Sequence, residues 1–372
     1  MSIHGQTFLQ QLQLQLRHRN TFPTARLAKI SSKVLFLCLT MFGLWACDVH
    51  EWPEEEQVVE TVEPEAPTFT LHLDFSTELP LYQEMEYATR ATKLSSYMVR
   101  YIVHVFEADE DGNFARTVFK RIVQTADVSD SLDVDIPIQL DYGSYRFMVW
   151  TDYVQSSSAA DLFYCADDFA DIYLTDNDDH QGCTDARDAF RGTVESEFSE
   201  SVTEATAEMV RPLAKYYFIA NDLQEFFARH AATKTDDDDS RSESVRTVNL
   251  DDYTIVFYYP NYMPDTYNMY TDRPGNSATG VYFTGDIVQL SSTEAQLGFD
   301  YIIINGTESS VQVALALYSK DTGEQISMTD AITVPLKRST YTIVRGAFLT
   351  SSASGNIGIV PDFDGSYNIR IE

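Results

Sequence analysis

The sequence is short of nearly everything that catalysis uses. It holds no nucleophile elbow, no phosphate-binding glycine loop, no dinucleotide fingerprint and no pair of histidines at metal spacing. Of seven histidines in 372 residues, five lie beyond Cys47 (His50, His72, His104, His180 and His230), and they are scattered. Neither an enzyme nor a cofactor is expected. Basic residues are scarce as well, with 26 Lys and Arg against 57 Asp and Glu. Five of those bases and none of the acids precede Cys47, so 21 bases face 57 acids after it, a balance of −36. Such a surface repels nucleic acid and anionic lipid headgroups, so nucleic acid is not an expected partner. No apolar run reaches the roughly 20 residues that a membrane-crossing helix needs.

The apolar run that does occur, Val34 to Leu44, follows Arg26, Lys29 and Lys33 and ends in Trp45-Ala46-Cys47. A positive region, a short apolar region, then a small residue and cysteine is the layout of a bacterial lipoprotein signal. Residues 1–46 are read as the signal peptide. Cys47 is read as the lipidation site, carrying diacylglycerol and palmitate-type acyl chains that hold the protein to the outer membrane. The alternative is a secretory signal cut elsewhere, with Cys47 an ordinary thiol. Residues 47–67 hold Asp48, Glu51, Glu54, Glu55, Glu56, Glu60, Glu63 and Glu65 with Pro53, Pro64 and Pro67, a composition that suits an extended acidic tether. Acids just after a lipidated cysteine resemble the surface-export signal of Bacteroidetes lipoproteins, which implies a cell-surface location.

Only four cysteines occur. Cys38 leaves with the signal and Cys47 is lipidated, which leaves Cys165 and Cys183. In an oxidising compartment these form a possible disulfide; the alternative is two reduced thiols.

The remainder reads as all-β. Phe69–Phe75 alternates apolar and polar residues, the pattern of a half-buried strand. Val99–Phe106, Ala115–Val123, Asp133–Leu140 and Ser144–Tyr153 read as further strands, with an Asp111-Gly112 turn. Pro137 marks Asp133–Leu140 as an edge. Residues 155–190, rich in Asp, read as a long loop. Asp176-Asn177-Asp178-Asp179-His180 within it lacks the glycine and glutamate of a calcium loop and reads as solvated. Ala189–Glu197 and Ala205–Ala220 read as strands, and Asn221-Asp222 as the cap of a short helix, Leu223–Arg229. The acidic run at 233–244 reads as a linker or loop. Strands follow at Tyr253–Tyr259, Val281–Phe283, Glu294–Ile304, Val311–Ser319, Ala331–Leu336, Tyr341–Leu349 and Tyr367–Ile371, with turns at Asn305-Gly306 and Asp321-Thr322-Gly323. The simplest fold is two tandem β-sandwich domains, 68–232 and 245–372.

Several stretches together resemble a known family. They are His50-Glu51-Trp52-Pro53 after the lipobox, Ala189-Phe190-Arg191-Gly192, and Arg211-Pro212-Leu213-Ala214-Lys215 with Asp222. In the second half they are Leu297-Gly298-Phe299-Asp300-Tyr301, Val334-Pro335-Leu336-Lys337-Arg338, Arg345 to Thr350 and Pro361 to Gly365. The set is similar to the Bacteroidetes fimbrillin-like lipoproteins of the minor-subunit and anchor type. The resemblance implies transthyretin-like sandwiches and a fimbrial anchor or accessory subunit in cell adhesion, with fimbrial subunits as partners by strand donation. Within it, Arg211 and Lys215 are expected to pair with surface acids, Pro212 to sit at a bulge and the glycines to occupy turns. Asp130-Ser131-Leu132 matches a short O-glycosylation motif of the same bacteria, with Ser131 as a possible site. The alternative function is a surface glycan-binding lipoprotein, for which Tyr258, Tyr259, Tyr262, Tyr267 and Tyr270 are candidate platform residues.

Overall fold

The computed structural model describes residues 66–75, 97–128, 132–155, 159–176, 179–232 and 248–350, with the backbone of 357–359 and 366–371. The signal segment, Cys47, the tether up to residue 65, Ser131 and the 233–244 linker lie outside the described residues.

The first half is built on alternation. Strand β1 (Thr68–Asp74) buries Phe69, Leu71 and Leu73, as its pattern requires. It lies between β4 (Val134–Gln139), antiparallel, and β9 (Glu204–Glu208), parallel. Pro137 is tolerated because β4 is an edge strand. The facing sheet runs β3-β2-β5-β8, from β2 (Tyr97–Glu107), β3 (Lys120–Asp127), β5 (Gly143–Gln155) and β8 (Ala189–Phe198). The two sheets meet where Phe69 stacks on Phe147 with centroids 5.0 Å apart and Phe198 packs edge-on at 5.2 Å.

The second pair of sheets begins earlier in the chain than expected. The stretch read as one strand, Ala205–Ala220, is two strands in two sheets. Strand β10 (Leu213–Ala220) follows β9 and lies between β18 (Ala295–Ile303), antiparallel, and β22 (Tyr341–Gly346), parallel. Residues 213–220 therefore belong to the C-terminal sheet, although they precede the 233–244 boundary drawn from composition. All eight are buried, because a central strand of a covered sheet has no solvent face. The sheet order is β17-β18-β10-β22-β24-β23, with β17 (Val288–Gln289), β23 (Ile357–Ile359) and β24 (Ser366–Ile371). The sheet facing it contains β11 (Tyr253–Tyr258), β16 (Tyr282–Gly285), β19 (Glu308–Ser319) and β20 (Gln325–Met328), and β21 (Ile332–Lys337) also pairs with β19. Phe218 meets Phe257 across this interior at 5.7 Å.

Helix α1 (Leu223–Ala232) follows β10. The Asp222 carboxylate accepts from the backbone N–H groups of Leu349 and Thr350, so it ties the helix start to a distant segment. Between the sandwiches, β6 (Tyr164–Cys165) and β7 (Ile172–Leu174) join β13 (Thr266–Asn268) and β14 (Arg273–Pro274) in one small sheet, and the apolar core is continuous through it. Residues 155–190, expected as a loop, thus supply two short strands. No helix among the described residues is long and apolar enough to cross a membrane.

Candidate functional site

The residues singled out from the sequence converge on buried charge. Asp300, in the centre of β18, is fully buried. Its carboxylate takes His180 Nε2 at 2.6 Å and the Tyr259 hydroxyl, and Arg187 Nε lies 3.3 Å away. Burial alone would raise the Asp300 carboxyl; the charges of His180 and Arg187 outweigh it and hold the carboxyl below its ordinary range. Arg187 also donates to Asp176 at 2.6 Å, and the Tyr259 hydroxyl meets that of Tyr216 at 2.6 Å. Asp176 and His180, the ends of the acidic run read as solvated, are thus both held in ion pairs; Asn177 and Asp178 lie outside the described residues.

Arg211 and Lys215 pair with buried acids, not surface ones. Arg211 Nε donates to both oxygens of Asp188, at 2.8 and 2.9 Å, and its guanidinium lies over Phe190. Lys215 pairs with Asp185, which also accepts from the Tyr301 hydroxyl at 2.9 Å. The Lys215 ammonium sits 4.2 Å from the Phe299 ring centroid. Burial dominates both groups: it pushes the Asp188 carboxyl up despite Arg211 and the Lys215 ammonium down despite Asp185. The reason for the misplacement is topological. β10 is an interior strand, so Lys215 within it and Arg211 at its approach must be met by acids brought inside, and the 155–190 segment brings them.

Pro212 precedes β10 and its carbonyl accepts from Ile304; the irregularity in β10 falls between Phe218 and Ile219. Gly306 occupies a turn with φ +73°. Gly192 does not: it lies inside β8, opposite Val149. A Cβ there would lie 2.5 Å from Met209 Sδ and 3.1 Å from the Glu208 carbonyl, so glycine lets β8 and the end of β9 touch. Arg191 and Arg338, from two of the resembling motifs, both reach Asp272, at 2.7 and 2.9 Å, and Tyr267 donates to it as well.

Both cysteines that the sequence offered as a pair are unbridged. Cys165 is paired with Tyr173 at the edge of the small sheet, whereas the Cys183 N–H donates to the Phe299 carbonyl on β18. The two lie in different segments and are both free in this structure, so the possible disulfide is not formed there. Cys165 with Asp161 and Asp167 is the one group with metal-ligand atoms within 4.8 Å of each other among the described residues. Asp161 already receives Arg100 at 2.6 Å and Asp167 receives Arg121 at 2.8 Å, which leaves the set poorly suited to a cation. Of the five platform tyrosines, Tyr258, Tyr259 and Tyr267 are buried and Tyr270 is half-buried; only Tyr262 is exposed.

The flanks of the N-terminal sandwich are unequal. One is sealed where the chain turns from β8 into β9, through the Ser199–Val202 and Arg191–Val210 bridges and the Gly192 contact. On the other, among the described residues, β3 pairs with β2 alone, and Lys120 Nζ donates to the Gln139 carbonyl at β4's end. The eight residues of β3 contain no proline and no register shift among the described residues.

A family model described as a family of unknown function (DUF6562) matches residues 65–372. No curated protein matches the chain. Among solved structures, the fimbrial anchor protein Mfa2 from Porphyromonas gingivalis is similar at 13% identity and TM-score 0.35, over 70% of this chain and 81% of that one. A fimbrial assembly protein from Parabacteroides distasonis is similar at 10% identity and TM-score 0.37, over 82% and 99%. A candidate adhesin from Bacteroides ovatus is similar at 11% identity and TM-score 0.38, over 79% and 88%. At such scores neither the detailed topology nor the partners of those proteins transfer to this chain.

Proposed function

The chain belongs to the DUF6562 family, of unknown function, and on that premise we propose that it is an outer-membrane lipoprotein acting as an anchor or accessory subunit of a fimbrium. In this reading Cys47 carries the acyl chains at the cell surface, residues 47–67 form the tether, and the rest is a structural body without catalytic work. The observation that carries the reading is the edge of β3. It offers eight residues of backbone whose outer hydrogen bonds β2 does not use. A strand from a neighbouring subunit could add there, its backbone supplying affinity and its alternate side chains register. A chain held by its own N-terminus keeps that end at the membrane and so serves as acceptor. The way buried charges are consumed internally fits the same reading, since those residues fix shape and offer no reactive group.

The test is co-purification from gently solubilised outer membranes. Consecutive N–H groups of an edge strand point alternately to the partner and outward. Of Val123→Pro and Gln124→Pro, one therefore removes an outward N–H only. A series of fimbrial subunits recovered with the wild type, and lost with that variant while its melting is unchanged, supports strand addition at β3. Recovery of the protein alone in every case overturns it. Release of the Cys47→Ser chain from the membrane fraction tests the anchor separately.

A further inference from the structure

The end of the N-terminal sandwich where the tether arrives carries an exposed apolar strip. Leu140 donates its N–H to the Pro67 carbonyl, so chain entry and the turn at Asp141-Tyr142-Gly143 lie side by side. Tyr142 is 55% exposed, Phe119 56% and Val202 40%. They share one support. Phe119 lies 6.4 Å from the buried Tyr145 ring, whose hydroxyl donates to the Asp141 carbonyl, and Tyr142 packs edge-on against the buried Phe198 at 5.1 Å. Ser199, next to Phe198, is bridged to Val202. Exposed apolar side chains gathered on shared supports at one end of a sandwich, instead of scattered singly, mark a contact site.

The rim is acidic. Glu107, Asp109, Glu110, Asp111, Asp141, Glu197 and Glu200 are all exposed around the strip. The nearby cations are turned aside: Arg146 is held by Glu195 and lies over Phe114, Arg116 lies over Tyr270, and Lys120 donates to Gln139. We infer that this strip docks a basic protein segment, one with an apolar side chain flanked by Lys or Arg. The rings supply the apolar seat, and the rim steers cations and disfavours an anionic lipid surface. Phe119 adjoins the first residue of β3, whereas Tyr142 rests on Phe198 of β8, so the strip extends away from the β3 edge and its occupation does not require strand addition there.

The test uses the chain from Asp48 onward and the synthetic peptide Lys-Lys-Leu-Phe-Lys-Lys, with its Glu-for-Lys counterpart and zwitterionic phosphatidylcholine vesicles beside it. Phe119→Ser and Tyr142→Ser change exposed side chains, and Val123→Ser, on the β3 surface away from the strip, is the control. The expected result is binding of the basic peptide only, weakened about tenfold by either of the first two substitutions, unchanged by the third, and reduced by salt. Binding that tracks salt but ignores Phe119 and Tyr142 overturns the inference, because then only net charge acts. Tyr142-dependent binding of vesicles without binding of the peptide overturns it in favour of a lipid surface.

Discussion

His104 gives the sharpest physical test. It lies in β2, 2% exposed, with its ring stacked on Phe169 at 3.8 Å and neither ring nitrogen hydrogen-bonded among the described residues. Burial pushes its pKa down from 6.5 to about 4, and the Arg121 charge adds to this, while Asp168 and Asp167 oppose it. Between those values the unfolded chain holds the extra proton. The folded state therefore loses stability as pH falls from 6.5 towards 4, and the loss is absent above 6.5. Each unit is worth about 1.4 kcal/mol. The whole interval would amount to roughly 3 kcal/mol, and relaxation of the surroundings about the charged ring reduces this to about 2 kcal/mol. Replacing His104 by Phe keeps a flat ring and removes both the titration and two buried polar atoms without partners. Urea unfolding at pH 7 should find the variant as stable as the wild type or about 1 kcal/mol more stable. At pH 4.5 its advantage should be wider by about 2 kcal/mol. An advantage that stays the same at both pH values would refute the reasoning, because His104 would then not be held neutral by burial.

Removing one member of a buried pair strands the other, so Arg211→Leu should cost about 3–5 kcal/mol in denaturant unfolding. The double variant with Asp188→Leu should recover more than half of that loss. Gly192→Val forces a side chain towards Met209 Sδ and the Glu208 carbonyl, and should lower stability by about 1–3 kcal/mol. Limited proteolysis should then find new cleavage between β8 and β9. Unfolding under non-reducing conditions should release two titratable thiols, from Cys165 and Cys183, and mass spectrometry should find no bridge between them.

Where an element depends on its own residues, the sequence displays it. Phe69, Leu71 and Leu73 alternate and are buried in turn; Pro137 announces an edge; Asn305-Gly306 makes its turn. Val118 and Phe119 look like strand residues, so the pattern suggests a strand at Ala115–Val123, whereas the regular pairing of β3 starts at Lys120. Sheet membership is harder. Leu213–Ala220 is a run without alternation, and nothing within it names its partners, which lie at 295–303 and 341–346. A local signal did exist, since Lys215 stands inside an apolar run, where a cation is tolerated only with a buried partner. The partner could not be found locally. Asp185 looks like any other acid of a segment whose composition suggests solvation, and burial of Asp185 and Asp188 is imposed by strands far away in the sequence.

The positions of these charges say what they contribute. A buried ion pair adds little net stability over an apolar pair of similar size, yet it tolerates only one geometry. Here the pairs sit at junctions. Asp272, only half-buried, receives Arg191 from β8 and Arg338 from the turn between β21 and β22, so it ties the N-terminal sandwich to the C-terminal one. Arg211, just before β10, and Lys215, near its start, are held by Asp188 and Asp185 from the segment leading into β8. Asp222 fastens the end of β10 to the Leu349–Thr350 backbone. In the proposed anchor, tension enters at Pro67 and runs along β1, which is bonded on both sides, antiparallel to β4 and parallel to β9. Pulling along such a strand shears many hydrogen bonds together, and the polar ties connect the first sandwich to the second. A scaffold of that kind needs angles more than it needs extra stability, which is the property that buried, paired charges supply and a larger apolar core would not.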